Sequence, residues 1–381
     1  MISKLETLIF VDSNHLNPFL SNILLKLSPK LKEIGYESFF DEAPSDANIE
    51  DMIKFYETHV KGAEKQVAVA EQFNQTIVSN VLKLCTDQWS ETLSNELITS
   101  AREYEGTEYF VIFTSLIPLI PAIRSATIKK YGDIKLPIQI IELEKNVFQE
   151  AVLSIIMEMK VSTESKKAKV NFLKGLLTNQ LKYKPIDHSE ASAVCASLIN
   201  AASFKSENDL NSYLKIKDSI PELIKKALEQ RDTAMSNEYL HALESVFGFI
   251  GLLHLEGMQK ILEQSQRDSS TKCDFIYIHS DVTVGRQPEV LQRVNAVRQG
   301  KINLPIGLTL IDATNMNEEQ VIEAVLMHIQ NKSANKIGQG NMDFKESYPS
   351  YKPGSPRLFL AKKDDETTAT LSTSLIFNNN F

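Results

Sequence analysis

The stretch Phe247-Gly-Phe-Ile-Gly-Leu-Leu-His254-Leu-Glu-Gly257 restricts the fold more than any other part of the chain. Its first half is apolar without polar alternation, as in a strand covered on both faces. Helices on both sides of a sheet give such cover. Its second half is a Gly251-x-x-His254 turn with a helix starting just beyond, so a histidine sits where the chain leaves the sheet. A similar place lies near the start, in Leu8-Ile-Phe-Val-Asp-Ser-Asn-His15. The two strand ends are expected to form one site.

The first segment reads as a βαβ unit. Leu8 to Val11 is a buried strand. Pro18 opens a helix with apolar positions Phe19, Ile23, Leu24, Leu27 and Leu31, and Gly35 ends it. Ser38 to Glu42 is the second strand, and the crossover implies that the two are parallel. Residues 48 to 104 carry helical periodicity only. Tyr109 to Phe113 and Leu136 to Glu142 read as further strands, the latter near an edge because of Pro137.

Residues 146 to 245 read as an all-helical block with an exposed joint around Ser162 to Lys169. Strands and helices then alternate again. Strands are expected at Phe247 to Leu253, Asp274 to His279 and Leu304 to Asp312, and helices at Glu256 to Gln266, Pro288 to Arg298 and Glu318 to Gln330. The expected class is α/β, a mainly parallel sheet with flanking helices and an all-helical insertion. The expected organisation is a first α/β half over 1–145, a helical block or cap over 146–245, a second α/β half over 246–332 and a flexible tail over 333–381. The tail is rich in Gly, Ser, Asn and Lys and lacks apolar periodicity.

Composition removes several function classes. With 43% hydrophobic and 24% charged residues in 381, the chain can bury a large core. A net charge of −8 without a basic stretch gives nucleic-acid binding no electrostatic support. Cys85, Cys195 and Cys273 are too few and too widely spaced for a disulfide framework or zinc cage, which suits a reducing, cytoplasmic compartment. The start of the chain lacks the pattern of a cleavable signal peptide. Phe110 to Ile123, broken by Pro118 and Pro121, is too short to span a bilayer. A soluble protein with no transmembrane segment is expected.

Ligands of open α/β sheets bind outside the carboxyl ends of the strands. His15, Glu42 and His254 all fall at such ends. Two histidines and a carboxylate can hold a divalent metal, or supply a general base and the group that orients it. Each also has a plainer reading: His15 as a solvated loop residue, Asp41 and Glu42 as a capping or solvent-facing pair, His254 as a helix cap. Arg231-Asp232 adds a bidentate donor for Glu42 or an anionic substrate group, and an acid that can fix His241 or cap a turn. Adjacent helical residues point about 100° apart, so the two cannot face one partner. The plainer reading is a surface pair. Cys85 with His59 or His188 is a weaker nucleophile pair, since Cys85 lies on an apolar helical stripe. His279, Asp281 and Arg286 follow another strand and can line the same edge.

These motifs resemble the Tiki/TraB and erythromycin-esterase superfamily, which includes ChaN-like haem-binding proteins. The resemblance rests on Gln230-Arg-Asp-Thr-Ala-Met with Gly248-Phe-Ile-Gly-Leu-Leu-His-Leu-Glu-Gly, and on Val11-Asp-Ser-Asn-His15, Gly35 and Asp41-Glu42-Ala-Pro44. It covers roughly residues 8–60 and 222–280. It implies His15, Glu42, Arg231 and His254 as site residues. It also implies hydrolysis of an ester or peptide-like bond, with a small-molecule or peptide substrate. His15, Glu42 and His254 would be the ligands of a metal-dependent version. The first turn departs from the pattern: Asp12 stands where Gly is usual, and Ser13 where the esterases place Glu. Either Asp12 substitutes as a ligand, or the site has decayed and the fold binds a protein partner. The polar, acidic tail resembles the export signals of bacterial type IV secretion effectors, which would make the chain a protein secreted without a cleavable signal.

Overall fold

The computed structural model describes residues 6–12, 18–83, 88–107, 109–117, 119–132, 137–202, 215, 218–265, 272–279 and 308–335. Six strands form one all-parallel sheet: β1 (Glu6–Asp12), β2 (Ser38–Pro44), β3 (Lys182–Asp187), β4 (Val246–Gly251), β5 (Lys272–His279) and β6 (Leu308–Asp312). Their spatial order is β3-β2-β4-β1-β5-β6. The α/β class expected from the strand–helix alternation is therefore the observed one.

Both faces of the sheet are covered. On one lie α1 (Pro18–Glu33), the carboxyl-terminal half of α7 (Pro137–Thr178) and α11 (Glu318–Asn335), packed on Leu8, Phe10, Phe39, Phe247, Phe249, Ile276 and Ile278. On the other lie α9 (Ile220–Leu240) and α10 (Leu252–Ser265), packed on Ile9, Val11, Phe40, Ile250 and Phe275. α8 (Ser189–Ala202) meets α9 through Cys195 and Ala227. Successive strand residues point to opposite faces, so buried runs with no polar alternation are what a doubly covered sheet needs. Gly35, at φ 102°, supplies the left-handed residue that ends α1, as its position in the sequence predicts.

Between β2 and β3 the chain makes a helical arm with its own core. α2 (Ile49–Phe73) leaves the sheet. A π-helical turn (Asn74–Val78), α3 (Ser79–Leu82), α4 (Trp89–Glu103), α5 (Phe110–Leu116) and α6 (Leu119–Tyr131) follow, and α7 returns. Ala70, Phe73, Trp89, Leu93, Phe113 and Phe148 lie in this second core. The ion pairs Glu57–Lys174, Glu64–Lys167 and Glu71–Lys160 run antiparallel along α2 and α7.

Four expectations fail here. Tyr109 to Phe113 is not a strand: Phe110–Leu116 is α5, whose Phe113 ring packs 5.0 Å from Phe73. Pro137 to Glu142 is not a strand either but the start of α7. Its apolar positions continue in helical register into Val147, Phe148, Val152 and Ile156, and tertiary packing overrides the local β preference. Ser162 to Lys169 is no exposed joint. Ser162, Thr163, Ser165 and Lys169 are buried within α7. The block at 146–245 is not all helical, since it contains β3. Lys182-Tyr-Lys-Pro-Ile-Asp187 lacks an apolar run because it is an edge strand, where Pro and Lys are tolerated. The expected helix at Pro288 to Arg298 and the tail from residue 336 lie outside the described residues.

Candidate functional site

The strand order reverses direction beside β1 and β4. From β1 the chain crosses by α1 on one face to β2, and from β4 by α10 on the other face to β5. Helices that diverge from adjacent parallel strands open a crevice at the carboxyl edge. Asp12 is in register with Gly251, so the chain leaves β1 beside the start of α10.

Glu42 stands next to this crevice. Its Oε1 accepts a hydrogen bond from Arg231 Nη2 at 2.7 Å and lies 3.0 Å from His254 Nε2. Its Oε2 accepts from the Gly251 N–H at 2.6 Å. Arg231 Nε donates to both oxygens of Asp187, at 2.9 and 3.0 Å. His254 Nδ1 meets Asp232 Oδ1 at 2.6 Å. The result is one continuous chain, Asp187–Arg231–Glu42–His254–Asp232, with Arg231 1% and His254 2% exposed.

Local structure explains how these groups meet. Between Asp41 and Pro44, β2 advances three residues while β3 advances two, from Pro185 to Asp187. This bulge bends the strand end and re-aims its side chains. Asp41 ends on the α7 face and Glu42 on the α9 face. Arg231 and Asp232, adjacent on α9, diverge as helical geometry requires. Arg231 reaches the ends of β2 and β3, and Asp232 reaches α10. Gly257 makes the second contact achievable, because a Cβ there would lie 1.8 Å from Asp232 Oδ2.

The electrostatics favour charge on His254. Burial alone would lower its pKa. The charge of Glu42 and the hydrogen bonds to Asp232 and Glu42 outweigh burial and raise it to about 9. His254 is thus an imidazolium at neutral pH, with a proton on each ring nitrogen, one aimed at Asp232 and one at Glu42. Burial also opposes charge on Arg231, and Glu42 and Asp187 overcome it, leaving the guanidinium charged throughout.

The structure brings Glu42, Arg231 and His254 together, three of the four residues expected from sequence. His15 and the side chain of Asp12 lie outside the described residues, as do Cys85, the His279 side chain, Asp281 and Arg286. Asp232 holds His254 rather than His241, whose Nδ1 instead faces the Asn237 carbonyl. Asp187 is the member that sequence reading missed. Its signal was weak: a short polar strand ended by an acid before a helix start. Arg231 is turned towards two carboxylates, which makes it a positioning residue for Glu42.

A divalent metal does not fit the described part of this site. Both His254 nitrogens face acids and both Glu42 oxygens are engaged, so a cation on Glu42 would compete with Arg231. Among the described residues no group of three or more His, Cys, Asp and Glu side chains is disposed to hold a metal.

The opposite face of β2 carries a second buried ion pair. Lys169 Nζ donates to Asp41 Oδ1 at 2.8 Å and lies 3.4 Å from the Phe249 ring centroid. Tyr183 O–H donates to Asp41 Oδ2 at 2.9 Å.

Fold and site together define a doubly covered, all-parallel α/β protein with an ionic chain at its topological switch. No protein-family model, curated protein or solved structure matches it. Among the described residues no helix is long and apolar enough to cross a membrane.

Proposed function

We propose that the carboxyl edge of the sheet is a hydrolytic centre for an ester or peptide-like bond, as the resemblance to the Tiki/TraB and erythromycin-esterase superfamily implies. The observation that carries this is the Asp232–His254–Glu42 series. An imidazole oriented by one acid faces a second acid 3.0 Å away. Such a pair can move a proton in both directions of an acyl transfer. Turnover requires the Glu42–His254 contact to open: Glu42 then accepts a proton from the attacking water, and the freed Nε2–H of His254 donates to the leaving group. Arg231 and Asp187 hold Glu42 in place.

A second reading is a binding protein with a closed network, including a secreted effector. The near-complete burial of Arg231 and His254 and the departures at Asp12 and Ser13 favour it.

Assays with p-nitrophenyl esters and a peptide library separate the two. The hydrolytic reading expects turnover that falls at least about 100-fold in Glu42→Gln and His254→Gln while both variants remain folded. Turnover unchanged in His254→Gln rejects the assignment. No turnover on any ester or peptide leaves the binding reading in possession.

A further inference from the structure

The lysines of α7 are of two kinds. Lys145, Lys160, Lys167, Lys169 and Lys174 each have a carboxylate oxygen within 3.0 Å. Lys166 is half-buried and has no acid partner among the described residues. Its Nζ meets a hydroxyl instead, Ser162 Oγ at 3.2 Å, and Ser162 is itself buried. Lys166 and Lys169 stand three residues apart and share a face of the helix. Lys169 takes Asp41 for itself, near the carboxyl end of β2. α7 runs antiparallel to the strands, since it ends at Thr178 just before β3 begins. Lys166 therefore lies one turn further out from the carboxyl edge, about 4.5 Å along the helix axis.

A buried ammonium without a counter-ion is costly, and such a group sheds its proton more readily. Burial lowers the Lys166 pKa to about 8. At pH 7 about a tenth of it is neutral amine, against less than about a thousandth for an ordinary lysine. A desolvated amine of this kind is a nucleophile at neutral pH. An imine is a weaker base than an amine, so a neutral imine on Lys166 removes the charge that its surroundings do not pair.

We propose that Lys166 is a covalent binding site for a small aldehyde or ketone, with Ser162 as its proton relay. The neutral amine attacks the carbonyl carbon and forms the C–N bond. One proton of the nitrogen passes through the Ser162 hydroxyl to the former carbonyl oxygen. The carbinolamine then loses that oxygen as water, together with the second amine proton, leaving a C=N bond to Nζ. The site lies on the α7 face and does not rest on the hydrolytic reading of the Glu42 face.

Treating the whole protein with propanal and cyanoborohydride at pH 7 fixes an imine as a propylamine, and peptide mass spectrometry locates it. Lys160 and Lys174, 52% and 54% exposed and ion-paired, are internal controls. Access alone ranks the controls first. The proposal ranks Lys166 first, by at least about tenfold. Trace acetylation with acetic anhydride across the pH range should give Lys166 a midpoint near 8. Propanal capture in Ser162→Ala should slow several-fold, and an unchanged rate overturns the relay. Lys166 captured no faster than the controls, or an acetylation midpoint near the ordinary 10.5, overturns the site, and neither measurement needs a variant to fold.

Discussion

Asp41 and Glu42 are neighbours on one strand, yet they serve opposite faces of the sheet in different ways. Asp41 is closed off by one lysine, itself covered by the Phe249 ring, and by one tyrosine hydroxyl. Its lysine partner reaches the strand end from α7, so this pair acts as a clamp between α7 and the sheet. Glu42 is shared between a permanent cation, Arg231, and a titratable one, His254. A proton can therefore enter or leave on that face within an accessible pH range. The difference teaches that burial and charge pairing alone do not mark a site. What distinguishes Glu42 is a partner that can change its protonation state, at the strand end where the topology switches.

The largest effect should come from Arg231→Met, which leaves Asp187 buried without its cation and Glu42 with His254 alone. A loss of about 3–5 kcal/mol in urea unfolding is expected, or failure to fold. Lys169→Met strands only Asp41, which keeps the Tyr183 hydroxyl, and should cost less, about 2 kcal/mol. Equal losses on the two faces would break the distinction.

The pH dependence should separate the faces next. His254 has a folded pKa near 9 against an ordinary value of 6.5, so it contributes stability below pH 6.5 that is lost as pH rises through 9. The full contribution is about 3 kcal/mol. The difference in unfolding free energy between the parent and His254→Gln should shrink over that window, while Lys169→Met should keep the parent slope.

Lys166 supplies a control of opposite sign. Burial lowers its pKa to about 8 from 10.5, so it weakens the fold below pH 8, and the fold recovers as pH rises towards 10.5. Lys166→Met should be more stable than the parent at pH 7 and lose that advantage by about pH 10. The smallest effect expected is from Gly257→Ala, about 1–2 kcal/mol, as α10 shifts away from Asp232. It should also lower the pKa of His254, which a substitution far from the site would not do.

Much of the sheet was legible because strands covered on both faces are continuous apolar runs. Val246–Gly251 follows that rule throughout, and β5 follows it over its central Phe275-Ile-Tyr-Ile278. β3 escaped because an edge strand tolerates Pro185 and alternates exposed Lys with half-buried residues. The false strands at 109–113 and 137–142 are short apolar runs, ambiguous without their neighbours, and the second core of the arm makes both helical. At the site, Glu42, Arg231 and His254 were readable from their places at strand ends and from motif order. Asp232 was readable as an acid but not as the partner of His254. That pairing depends on how closely α9 approaches α10 at Gly257, a tertiary fact with no local signature.

The chemistry of the site depends on His254 being an imidazolium held between Asp232 and Glu42. NMR titration of its ring resonances between about pH 5 and 10, assigned by comparison with His254→Gln, measures this directly. The expected midpoint is about 9, moving down in Asp232→Asn. A midpoint at or below 6.5, unchanged in Asp232→Asn, would contradict it.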